Sequence, residues 1–182
     1  VSFVNQIQLY SMICGLLVCY NQLMSIHPEV KIGHVHLTVS DLERSLAFYR
    51  GILGFEVTAR YGDSAVFLSA GGYHHHIALN TWAGKGAPPP PQGHTGLYHF
   101  AILYPTRKEL AVVLQKIINA GYPLTGTADH GVSEALYLSD PDGIGVELYA
   151  DRQRSQWKVK NDGEVEMVSE ALSLESLLAE LE

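Results

Sequence analysis

The sequence predicts an α+β fold made of two copies of one βαβββ module, at about residues 31–82 and 97–151. Three observations predict it. The order strand, helix, three strands occurs twice. A Gly- and Pro-rich stretch, "AGKGAPPPPQGHTG" (83–96), separates the copies and suits neither a helix nor a central strand, because Pro lacks the backbone donor. Each copy also places a histidine seven residues before a helix cap: His34 before Asp41, and His99 before Thr106. The chain therefore carries an internal repeat with a register.

In the first module, "IGHVHLTV" alternates as a half-buried strand does. "SDLERSLAFYRGILGF" follows with Ser40 or Asp41 as N-cap, an apolar face at Leu42, Leu46, Phe48, Tyr49 and Leu53, and Gly54 as the stop. "FEVTAR", "AVFLSA" and "HHIALNTW" read as three strands between glycine turns. In the second module, "GLYHFAILYP" is the opening strand, and "TRKELAVVLQKIINAGY" is a helix capped by Thr106 and ended by Gly121. "PLTGTAD", "SEALYLSD" and "GVELYAD" complete the unit. Residues 153–182 form a tail whose Leu174, Leu177, Leu178 and Leu181 recur at helical spacing, as for a short helix docking on the domain or on a second subunit.

The ends and the composition bound the functional class. Net charge is −7, which disfavours nucleic acid and anionic membrane surfaces as partners. Cys14 and Cys19 give neither a disulfide framework nor a zinc signature, and a cytoplasmic location is expected. "YSMICGLLVCY" is apolar, but no Lys or Arg precedes Lys31, and the run is too short to span a bilayer. Residues 1–30 read as an N-terminal extension. Translation from Met24 would leave residues 1–23 outside the native chain, a reading preferred to a peripheral helix or a weak anchor. A homo-oligomer is left open.

Nine histidines are the unusual feature, because imidazole is the commonest protein metal ligand. His34 and His99 stand at equivalent points of two equivalent strands, and pseudo-twofold packing would bring them to one cleft. Glu147 lies between Val146 and Leu148 on the apolar final strand, where a carboxylate is costly unless paired or bound to a cation. Two histidines and a carboxylate make a facial triad of the kind that suits non-haem Fe(II) and leaves coordination positions open. Alternation puts His74 and His76 on one face of their strand and His75 on the other. By the same rule His36 shares the face of His34, with no ligand role assigned to it.

The paired modules, with "HVHLTVSDLERSLAFYRGILGF" as opening element, resemble the vicinal oxygen chelate superfamily. That group includes glyoxalase I, fosfomycin-resistance proteins, bleomycin-binding proteins and type I extradiol dioxygenases. "ADHGVSEALYLSDPDGIGVE" is similar to the extradiol signature, filled here by His130, Leu136, Tyr137, Asp140, Pro141, Gly143 and Glu147. Ala128 departs from it by a small substitution. "HHIAL" resembles the family's His-His pair, with His76 as the acid–base member.

The resemblance implies a compact extradiol dioxygenase. Fe(II), with Mn(II) as an acceptable substitute, would be held by His34, His99 and Glu147. A small aromatic vicinal diol and O2 would be the substrates. His76 would accept and return the substrate proton, and His130 and Tyr137 would hydrogen-bond the substrate oxygens. The alternatives are a glyoxalase-like lyase, a fosfomycin-type transferase and a metal-free small-molecule binding protein. The first wants an acidic residue on the last strand of module one, which "HHHIALNTW" lacks. The second wants a basic pocket, and little Lys or Arg lies near the triad. The third gives no reason for three ligand-type residues at matching places.

Overall fold

The computed structural model describes residues 26–91 and 93–182, so the reading of residues 1–23 lies outside the described residues. His34–Glu182 form one unit; of the preceding unit, Val1–Gly33, the described part is a turn in which Val30 N–H donates to His27 O at 3.0 Å. No helix among the described residues is long and apolar enough to cross a membrane.

The first module runs β1 (Val35–Thr38), α1 (Leu42–Leu46), β2 (Glu56–Tyr61), β3 (Ala65–Ser69) and β4 (Ile77–Asn80). The second runs β5 (His99–Tyr104), α2 (Arg107–Asn119), β6 (Gly126–Asp129), β7 (Ser133–Ser139) and β8 (Gly145–Asp151). Each makes a four-stranded sheet, in the orders β1-β4-β3-β2 and β5-β8-β7-β6, with the first and last strand of each module paired in parallel. The repeat read from the sequence is therefore a repeat of topology.

Local chemistry explains the helix starts. Asp41 caps α1, its carboxylate accepting from Arg44 N at 3.0 Å. Thr106 caps α2 and gives its hydroxyl to Glu109. α1 is short: after Leu46 the chain widens into a π-helical stretch, Ala47–Ile52, in which Leu53 N–H reaches Phe48 O at 3.0 Å. The sequence pattern gave no sign of this widening. It brings neighbouring Phe48 and Tyr49 into full burial together.

One apolar core joins the modules. Leu37, Leu79, Val66 and Leu68 from the first sheet and Phe100, Leu136, Val146 and Leu148 from the second belong to it, with α1 and α2. Phe48 meets Tyr122 at 4.9 Å between ring centroids, and Tyr49 lies stacked near Phe100. Each sheet therefore turns one face to the shared helical core and leaves the other face open.

The loop after β7 latches the modules together. Buried Asp140 accepts from Tyr49 OH at 2.9 Å and from the backbone of Asp142 and Ile144 at 2.9 and 2.8 Å. Burial is the main cause that raises the carboxyl of Asp140 above its usual range. Asp142 accepts from Ser40 N at 3.1 Å, from Ser40 Oγ at 2.7 Å and from Arg44.

The tail docks on the second module. α3 (Leu174–Leu178) packs on α2, with Leu177 fully buried. Leu177→Ala would cost about 2–5 kcal/mol. Arg107 binds Ser176 O at 3.0 Å, Glu180 at 2.7 Å and buried Glu134 at 2.6 Å. Arg152 gives Glu134 a second partner at 2.8 Å, which satisfies a carboxylate that would be costly to bury alone.

Candidate active site

The open face of the second sheet follows from strand alternation. On β8, Val146, Leu148 and Ala150 are buried in the core, so Glu147 lies on the other face. On β5, Phe100 goes inward and His99 goes outward. β5 and β8 are parallel neighbours, with His99 opposite Gly145 and Ala101 opposite Glu147. This stagger puts His99 Nε2 at 2.9 Å from Glu147 Oε2.

Gly145 is required for that approach. A Cβ built on it would collide with Tyr98 O and lie 2.9 Å from His99 Cβ. No side chain can stand there while His99 keeps its place.

β7 adds the next groups. Tyr137 pairs directly with Glu147, and its OH lies 3.2 Å from Glu147 Oε1. Burial, then the charge of Glu147, push the Tyr137 phenol up to about 12, so it keeps its proton at neutral pH. His130 Nε2 lies 2.7 Å from Tyr137 OH, and His130 Nδ1 lies 2.8 Å from Val168 O. His99, His130, Tyr137, Gly145 and Ser169 help line a cavity of about 580 Å³, within the usual size range of small-molecule sites.

His34 is not in that lining. Its ring lies 4.5 Å from His75, which in turn meets Phe67 at 5.1 Å. His36 keeps to the same side, 5.4 Å from Trp82 and 6.4 Å from Phe67. Within one chain the expected ligands divide: His99 and Glu147 meet, and His34 stands with the first sheet. Among the described residues no three His, Cys, Asp or Glu side chains gather as a cation site. The physical reason is the core. The modules join through their helical sides, and their open faces are separate.

The triple histidine differs from the alternation argument at one position. His76 N–H donates to Leu68 O at 2.8 Å, so this residue extends β4 and shares the face of Ala78. Its Nδ1 lies 3.1 Å from Ser69 Oγ and 3.4 Å from Ala70 N. His75 was expected to point away, yet it packs against His34. The correction has a local cause: β4 begins only at Ile77, and the glycine turn before it does not keep strand parity. His74 Nδ1 lies 2.7 Å from His75 Nδ1. Burial, then the neighbouring imidazoles with His34 first, hold His75 below the usual histidine pKa.

A half-buried imidazole and carboxylate, side by side on rigid strands, are donor types that first-row divalent metals accept. They fit such an ion as two of its ligands. Sequence reasoning missed Gly145, Val168 and Ser169. Gly145 alone had a signal, since a glycine inside a strand marks close backbone approach. Val168 and Ser169 reach the site from a tail with no motif.

Comparison with known proteins bears on this geometry. The family model described as Glyoxalase/Bleomycin resistance protein/Dioxygenase superfamily matches residues 31–148. A catechol-2,3-dioxygenase of Bacillus subtilis (strain 168) is 46% identical over 156 residues, covering 86% of this chain and 54% of the relative. Biphenyl-2,3-diol 1,2-dioxygenase 3 of Rhodococcus globerulus is 32% identical over 122 residues, covering 66% of this chain and 63% of the relative. The chain thus spans about half the length of the first and under two thirds of the second. Among solved structures, a glyoxylase/bleomycin resistance protein/dioxygenase domain from Frankia sp. EAN1pec superposes with a TM-score of 0.57 at 28% identity. That superposition covers 68% of this chain and 98% of that one.

Proposed function

The chain belongs to the Glyoxalase/Bleomycin resistance protein/Dioxygenase superfamily, and within it we propose an Fe(II)-dependent extradiol dioxygenase that cleaves a catechol-type ring with O2. The observation that carries this reading is the linked set His99, Glu147, Tyr137 and His130, of which His99, Tyr137 and His130 line one cavity. It sets two metal-ligand types beside two hydrogen-bonding groups. The diol dioxygenases among the relatives support the substrate class.

His99 and Glu147 would hold Fe(II), or Mn(II) in its place. The third ligand would be His34, brought to the site by a second copy of the chain, so that a pair of chains completes two sites. Exposed apolar groups stand near both halves: Tyr98, beside His99, is 90% exposed, and Trp82, beside His36, is 60% exposed. When bound, the metal supplies Lewis acidity toward the diol and a place for O2. The protein's own groups do the rest. Tyr137, held as a neutral phenol, orients the substrate oxygens together with His130. His76, on the same first-sheet face as His34 and so carried to the site by the same copy, takes the hydroxyl proton and returns it.

The test uses two variants, His34→Ala and Glu147→Ala. Each alone should lose Fe(II) and catechol turnover. Co-refolded as a mixture, they should regain about one quarter of wild-type sites, since half the dimers are mixed and each mixed dimer has one intact site. No recovery would remove from the site a His34 supplied by a second copy. An iron-loaded wild type that leaves a panel of catechols uncleaved would remove the dioxygenase reading.

A further inference from the structure

The tail leaves the βαβββ repeat, yet it returns to the cavity. Beyond Val168 O against His130 Nδ1 at 2.8 Å, Val168 N–H donates to His130 O at 3.2 Å. Asp129 and Glu170 exchange both backbone hydrogen bonds, each 2.9 Å, as an antiparallel bridge. β6 is an edge strand, so this stretch covers its free side beside His130. Ser169, between the two contacts, lines the cavity. The strap is fixed at its far end by buried Leu177 and by Arg107.

A backbone carbonyl can only accept. The ring nitrogen that faces Val168 O therefore carries the proton, and Nε2 is the nitrogen turned to Tyr137. In the neutral ring Nε2 has a lone pair, so Tyr137 donates to it. Tyr137 has one proton and two acceptors within reach, His130 Nε2 at 2.7 Å and Glu147 Oε1 at 3.2 Å. With His130 fixed as the nearer acceptor, Glu147 Oε1 is released for a cation.

We infer that the tail segment Val168–Glu170 is a working part of the site, in which the Val168 carbonyl fixes the tautomer and orientation of His130 and thereby turns the Tyr137 proton away from Glu147. Val168 is a positioning residue, and its backbone rather than its side chain does the work. The value assigned to a free Glu147 oxygen rests on the proposed metal site. The tautomer itself is a property of the chain and is read separately.

The full chain is labelled with ¹⁵N-histidine, and His130 is observed by long-range proton–nitrogen correlation at a pH where the ring is neutral. The expected wild-type signal has the proton on Nδ1. A proton on Nε2 overturns the inference. Replacing Ser169 by its α-hydroxy analogue turns the 168–169 amide into an ester and weakens the Val168 acceptor. That variant should shift His130 toward the Nε2-protonated form and weaken Mn(II) binding several-fold. An unchanged tautomer in the ester overturns the assignment to the carbonyl. Val168→Ala keeps the carbonyl and should keep the tautomer, and a shift equal to that of the ester would also overturn it. If wild type binds no Mn(II) but shows the Nδ1 proton, the metal reading fails and the tautomer lock stands. If it binds Mn(II) with the proton on Nε2, the lock alone fails.

Discussion

Gly145→Ala tests whether the β5–β8 pairing is what holds His99 against Glu147. The added Cβ would lie 2.9 Å from His99 Cβ, where ordinary contact begins near 3.4 Å, and it would collide with Tyr98 O. A separation of at least 0.5 Å (3.4 minus 2.9) is needed at His99, and more at the carbonyl. Neither can be relieved by a rotamer, because one obstacle is backbone and the other is a Cβ. Overpacking of this kind costs about 1–3 kcal/mol. For a domain of this size that is a fall in Tm of about 2–12 °C. The shift acts on the 2.9 Å His99–Glu147 pair, so metal affinity should fall about 10–100-fold, the scale for changes that misplace ligands without removing them. Thermal unfolding and Mn(II) titration measure the two effects. A variant with wild-type Tm and wild-type affinity would refute the argument that glycine is needed at this crossing.

Three further outcomes are expected. His76→Gln should keep metal binding and lower kcat on catechols about 10²–10⁴-fold; a larger loss in His75→Gln would move the proton-transfer role to the imidazole that packs on His34. Asp142→Ala strips Ser40 and Arg44 of a shared, buried acceptor and should destabilise by about 2–4 kcal/mol in denaturant titration, with the cavity of the second sheet unchanged. At Asp129, burial opposes ionisation but the Gly131 N–H and Arg152 outweigh it, so its pKa is lowered. Its stabilising contribution is then full above the ordinary aspartate range and is lost as pH falls through the lowered value. Comparing Tm against pH for wild type and Asp129→Asn should show a shallower acid loss in the variant, and parallel curves would refute this.

What was legible in the sequence was what local chemistry decides. Of the two caps offered for the first helix, Ser40 and Asp41, the structure uses Asp41, which accepts from Arg44 N, and Thr106 stands at the cap of the second as read. The strand faces of Glu147 and His99 follow from period-two alternation with Val146, Leu148 and Phe100. Parity failed at His75 because the strand had not yet begun. The separation of His34 from His99 was illegible for a different reason. Two amphipathic modules can join by their helices or by their open sheets, and both arrangements satisfy the same hydrophobic pattern. The Val168 carbonyl was beyond sequence reading altogether, since a backbone acceptor leaves no mark in the identity of its residue.

The latch formed by Asp140 and Asp142 bears on how such proteins change over time. The stretch "SDPDG" lies within the same short segment as Glu147, so a pattern search scores them together, yet their duties are independent. The aspartates hold Tyr49, Ser40 and Arg44 and secure the fold. The Glu147 side chain meets His99 and Tyr137 on the open face. A lineage can therefore exchange Glu147 with little penalty in folding while the aspartates keep the architecture intact. New chemistry would then be explored at one end of the segment while the other end stays constant, and a chain that had abandoned metal would still look like kin.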